Sequence, residues 1–285
     1  MPSDGSTGHE RGRHVIGRVR SVTRDLSHAH PVSDLALWAA GLTFFGALGM
    51  VPLAMEAVAL CGRIVGRSAV RDSTEALLRA LPKSHSIPAT TRNLVDASLA
   101  LSWAKMGVLL IPTTIYGEGF RRSFLQMSRD DPIRSTGWRG RLAFLPIIVL
   151  ASLAALVLVG TVPVVAPFYT RGGRSLLAGV VISFHITFVL LTVILAAIYR
   201  IVGAAAVAWF PVAVASACTA SIVAGFMHGF LVFLAIPITW SEPFGGLPNF
   251  GALSVLMLWL YGLHVVVIIG YRLALVLNRS PSMRP

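Results

Sequence analysis

Charge is scarce in this chain, and acid is scarcest. Only 13% of the 285 residues are Asp, Glu, Lys or Arg, and 12 acids face 24 bases. A soluble domain of this length needs more polar surface, so the deficit excludes an ordinary water-exposed globule. The acids are also scattered. Their one adjacent pair, Asp130-Asp131, precedes Pro132 and reads as a helix stop. Phosphodiester hydrolysis needs clustered carboxylates for metal ions, or a His/Lys acid–base set in an open cleft, so a nuclease is not expected. Cysteine is nearly absent: Cys61 and Cys218 lie far apart in apolar segments, with no CxxC spacing and no support for a disulfide. The histidines lack zinc-ligand spacing, and no phosphate-binding Gly-rich loop appears. No metal, cofactor or ATP hydrolysis is expected. Lysine is limited to Lys83 and Lys105, leaving 22 arginines to carry the net charge of +12.

What is present is apolar: 55% of the residues are hydrophobic and the mean hydropathy is +0.75. Six stretches approach the roughly 20 residues needed to cross about 30 Å of hydrocarbon. They run over 35–61, 94–117, 142–166, 176–199, 205–238 and 250–277. The expected fold is all-α, a polytopic membrane protein of six transmembrane helices. Its membrane domain covers 34–278, after a basic tail over 1–33 and before a short tail over 279–285. The first and fifth spans are over-long and contain Pro52 and Pro211, so tilt or a kink is expected. No apolar run precedes Leu35, so no cleavable signal peptide is expected.

Orientation follows from the bases. Placing both termini in the cytoplasm puts fifteen of them inside and eight outside, with Lys105 within a span. The loop over 62–93 goes against the trend, with six bases outside. Three further helices are expected at the membrane surface. Val15–Leu26 carries a thin apolar stripe. Asp72 and Glu75 resemble a capping box that opens a helix ended by Pro82, lying on the membrane or over the bundle. Tyr116–Met127 puts Phe120, Phe124 and Met127 on one face. The excess charge suits anionic headgroups, not nucleic acid, because the arginines flank apolar spans.

Ionisable groups inside a bilayer are functional candidates. Counted at about 1.5 Å per residue from the outer face, Glu56 lies about 7 Å deep, His185 and His228 about 13 Å, Lys105 about 16 Å and His264 about 21 Å. Glu56, Lys105, His185, His228, Tyr261 and His264 are therefore the candidates for a polar cavity or substrate site. Lys105 and Glu56 either bind an anionic group or form a structural ion pair. Ser254, Tyr261, His264 and Tyr271 share a helix face. Gly225 and Gly229 form a small-xxx-small pattern suited to helix packing.

Three stretches carry a family likeness. DLALWAAGLTFFGALGMVPLAM, with Phe44, Phe45 and Pro52, is similar to an Ala-rich opening helix. IYGEGFRRSFLQM resembles a small-residue turn followed by a basic helix. FGALSVLMLWLYGLHVVVIIGYRLALVLN matches a closing span at Gly251, Leu258-Trp259-Leu260-Tyr261 and Gly270. Together they resemble the YihY/BrkB family of bacterial inner-membrane proteins. In place of the acid usual after the last Gly stands Tyr271-Arg272. The resemblance implies six spans in the bacterial inner membrane. The leading functional expectation is a transporter or flippase-like passage for a lipid-linked or small anionic substrate. The alternative is a non-transporting envelope scaffold that gathers anionic lipid or a protein partner; a membrane-bound ribonuclease ranks last. A homo-oligomer is compatible with this sequence.

Overall fold

The computed structural model describes residues 32–80, 87–128, 136–203, 206–234 and 248–279. The expected Val15–Leu26 surface helix, the Asp130-Asp131 stop and the final tail beyond Arg279 lie outside these residues. The described elements are helical throughout. They are α1 (Val32–Val65), α2 (Arg67–Ala80), α3 (Ile87–Leu99), α4 (Trp103–Leu125), α5 (Thr136–Thr170), α6 (Gly173–Ala197) with a π-helical turn (Ile198–Val202), α7 (Trp209–Leu234) and α8 (Pro248–Arg279). Five of them (α1, α5, α6 with its π turn, α7 and α8) are long and apolar enough to cross a membrane, and α3 with α4 makes a sixth if the bent pair counts as one span. The chain is an all-α polytopic membrane protein.

The second span is where the structure departs most from the sequence expectation. A single helix over 94–117 is replaced by two helices bent by 119° at a short break. The residues at the elbow explain the break. The chain turns with Leu101 N donating to Ser98 O, and Ser102 then caps α4 by accepting from Lys105 N. Arg63 of α1 fastens the elbow. It donates to Leu101 O at 2.6 Å, and its guanidinium lies 4.3 Å from the Trp103 ring centre. Trp138 and Trp209 likewise sit under Arg141 and Arg200 near the starts of α5 and α7. Exposed Trp beside Arg is the pattern of a membrane–water boundary.

The connecting helix also begins elsewhere than expected. Asp72 and Glu75 do not open it: α2 starts at Arg67, after Gly66 at φ +92°. Glu75 instead receives two bonds from Arg92, and Arg71 pairs with Asp96, so α2 is strapped to α3. Against α5, Ser73 donates to Val159 O at 2.8 Å. Pro163 lacks the N–H that this carbonyl would otherwise accept from, so a kink-exposed acceptor becomes the docking point for α2.

The third correction concerns Tyr116–Met127. The stretch is not a surface helix. It continues α4, and Phe120, Phe124 and Met127 are buried in the main core. The glycines make this possible. A Cβ on Gly117 would collide with the Phe144 side chain, and one on Gly119 would come within 2.8 Å of Phe45. Glu118 anchors the same turn by accepting from Arg122 and from Arg141 of α5.

Candidate functional site

A buried and a half-buried polar centre lie at different places in the bundle, and the six sequence candidates divide between them and the surface.

The first centre is His264. The ring is buried, with Nε2 2.7 Å from the Tyr116 hydroxyl and Nδ1 3.0 Å from Thr43 Oγ1. Thr43 donates its own hydrogen to Ala39 O at 2.7 Å, so its oxygen must accept from Nδ1–H. Nε2 is then the bare acceptor and Tyr116 the donor. Every hydrogen has a partner, and α1, α4 and α8 are tied at one level. Gly46 permits the approach: a Cβ there would lie 2.8 Å from His264 Cε1 and 3.3 Å from Tyr116. Beyond this knot, towards the C-terminal ends of α4 and α8, the interior is filled by rings. Phe124 stacks on Tyr271 at 3.9 Å, and Tyr199 donates to Val267 O at 2.9 Å. Tyr271 therefore belongs to the packed core, as does the buried Arg272 beside it.

The second centre is His228. Its Nε2 is 3.1 Å from Ser183 Oγ, which is 2.6 Å from the Tyr169 hydroxyl. It joins α5, α6 and α7. His185, on the same helix as Ser183, does not join it. That ring is exposed and bonds only to Val181 O of its own helix. The expected single His layer is thus absent: two histidines serve two separate centres and the third faces outward.

Lys105 is exposed, two residues beyond Trp103 in the first turn of α4. It does not meet Glu56. The Glu56 carboxyl is 1% exposed, and neither oxygen has a hydrogen-bond partner. Thr113 lies beside it but commits its hydrogen to Leu109 O. The expected Lys105–Glu56 pair is therefore not formed, and the depth count fails for Lys105 because the chain bends at the elbow. Tyr261 is half-buried against the core. Among the described residues Gly225 and Gly229 pack against no helix, since a Cβ on either would meet nothing within 4 Å. Among the described residues no group of three or more His, Cys, Asp or Glu side chains is placed to hold a metal ion.

Between the two centres runs a groove of about 610 Å³, lined by α1 (Gly46 to Ala54), α7 (Met227 to Phe230) and α8 (Leu253 to Leu263), with Leu94 and Thr187. Its walls are apolar except for Thr187 and His228. Gly46, in contact with His264, lies at its base. A volume within about 300–1,000 Å³ and mostly apolar walls are the marks of a small-molecule or lipid site. Sequence reasoning found His228 and His264 but missed Thr43, Tyr116, Tyr169 and Ser183. The hydroxyl spacing within each helix gave no sign of the pairing between helices.

A multi-span helical bundle with an apolar groove between its long apolar helices defines an integral membrane protein. The family model described as Virulence factor BrkB matches residues 32–284, and the chain belongs to that family. A UPF0761 membrane protein of Kangiella koreensis is 24% identical over 250 residues, covering 85% of this chain and 59% of the relative. The chain thus spans little more than half of that relative's length. No solved structure matches this chain.

Proposed function

We propose that the protein is a passage for lipid-linked cargo in the bacterial inner membrane, seen with its groove open toward the external leaflet. The carrying observation is the groove ending on the Thr43–His264–Tyr116 knot, with a second cleft of about 640 Å³, lined by Trp38, Phe45, Arg122 and Gln126 among others, toward the N-terminal end of α1. A polar knot between two clefts supports one state of an alternating passage. With both termini in the cytoplasm, the groove faces outward, and Arg121, donating to Val202 O and Gly203 O, helps close the inner end. An apolar groove reached from between helices suits an acyl or prenyl chain better than a small hydrophilic anion. The protein acts by moving cargo and not by chemical conversion, with membrane lipids as its partners, no nucleic acid and no cofactor. A second copy would meet it through the open Gly225/Gly229 face of α7.

The test is lipid movement in proteoliposomes. Wild type should accelerate exchange of a fluorescent lipid between leaflets relative to empty vesicles. Leu256→Trp, which fills the groove, should remove most of that acceleration. Wild-type vesicles that exchange lipid no faster than empty ones would refute the passage.

A further inference from the structure

Two cavities meet at one wall. The groove and a smaller pocket of about 200 Å³, roofed by Leu77 and Ala80 of α2, share Thr187 and His228. On the pocket side the wall carries Tyr169 and Ser183. No Arg, Lys, Asp or Glu lines either cavity among the described residues.

The hydrogens at this wall can be placed. His228 Nδ1 is 2.9 Å from Ala224 O, so in the neutral ring Nδ1 carries the hydrogen and Nε2 is an acceptor. With the Tyr169 hydroxyl at 2.6 Å donating to Ser183, the Ser183 hydrogen has two acceptors left: His228 Nε2 at 3.1 Å and Val180 O at 3.1 Å. If a ligand hydroxyl donates to Nε2, Ser183 turns its hydrogen to Val180 O and nothing is left unsatisfied. An anion has no hydrogen to give, and it would meet the lone pairs of Nε2 with no cation nearby. The wall is therefore an acceptor site with a built-in alternative for its resident donor.

We infer that Tyr169, Ser183 and His228 form the headgroup site for an uncharged, hydroxyl-bearing amphiphile of the neutral glycolipid class, its chain lying in the groove. This rests on the passage reading and narrows its cargo. Of the lipid-linked or small anionic substrate expected from the sequence, this keeps the lipid-linked class and makes it neutral, because the lysine meant to bind an anion is at the surface.

Native mass spectrometry of detergent-released protein measures retention of monoglucosyl diacylglycerol against phosphatidic acid. Wild type should keep the glycolipid preferentially. His228→Phe removes the acceptor and should lower glycolipid retention about five-fold, the scale of one lost hydrogen bond, without weakening phosphatidic acid. Thr192→Ala deletes a hydroxyl of α6 that bonds to Phe188 O and lines neither cavity, and should change nothing. Preferential retention of phosphatidic acid, or equal glycolipid retention by wild type and a folded His228→Phe, overturns the inference. Lipid movement in vesicles is read separately. If lipid still moves, the headgroup assignment alone has failed; if nothing moves, the passage has failed as well.

Discussion

Tyr116→Phe isolates the knot beneath the groove. The ring stays and the hydroxyl leaves, so His264 Nε2, in a side chain 2% exposed, loses its donor at 2.7 Å. A net hydrogen bond contributes about 0.5–1.5 kcal/mol, and bonds between membrane helices average about 0.6 kcal/mol. A loss of about 1 kcal/mol is expected. His264→Leu strands the Tyr116 hydroxyl instead, while Thr43 keeps Ala39 O, and should cost about as much or more. With both changes no polar atom of the pair is stranded, so the double variant should be more stable than the sum of the two losses implies. The cycle is read from reversible unfolding in mixed micelles, and a coupling of about 1 kcal/mol is expected. Losses that add within about 0.3 kcal/mol would show that the two side chains do not bond, and the knot would be refuted.

Other outcomes follow from single contacts. Gly46→Ala should destabilise by about 1–3 kcal/mol, because its Cβ meets the His264 ring, whereas Gly225→Ala should be neutral or slightly stabilising in the monomer; thermal unfolding separates the two. Ser73→Ala leaves Val159 O without its donor and should loosen α2, read as faster hydrogen exchange in α2 with α8 unchanged. The hydrogen bond from Arg92 holds the Glu75 carboxyl below the usual carboxylate range. A lowered folded value means that the strap's stabilisation is present above the unfolded carboxyl value and is lost as pH falls through the folded one. Protection of α2 amides, corrected for intrinsic exchange, should therefore fall on acidification in wild type but not in Glu75→Gln. Lys105→Ala should leave both stability and lipid movement unchanged, since the side chain is exposed at the elbow.

The sequence carried the fold class in its hydropathy, because crossing a bilayer demands long apolar helices and nothing subtler. It also marked Gly117, Gly119 and Gly270 as special. The reason became visible only in three dimensions, where a Cβ on Gly270 would strike Thr219 and the Tyr199 hydroxyl. Asn278, at the end of the closing motif, accepts from Ala208 N at the start of α7, a contact spanning 70 residues. The elbow was missed because Leu94–Gly117 reads as one apolar run. Ser102 as a cap, and Arg63 as a clasp on Leu101 from far earlier in the chain, are the signals that break it. The candidate site was half legible. Histidines in a membrane invite attention, but which hydroxyl meets which histidine depends on helix rotation, and a uniformly apolar helix does not encode its rotation in its periodicity.

In the proposed passage the groove is open on one side and closed by the His264 knot on the other. Interleaflet lipid exchange in proteoliposomes, measured side by side for Leu256→Trp and Tyr116→Phe, tests it most directly. Filling the groove should slow exchange below wild type, and loosening the knot should quicken it. If both variants move lipid at the wild-type rate, or if both change in the same direction, groove and knot are not two ends of one passage.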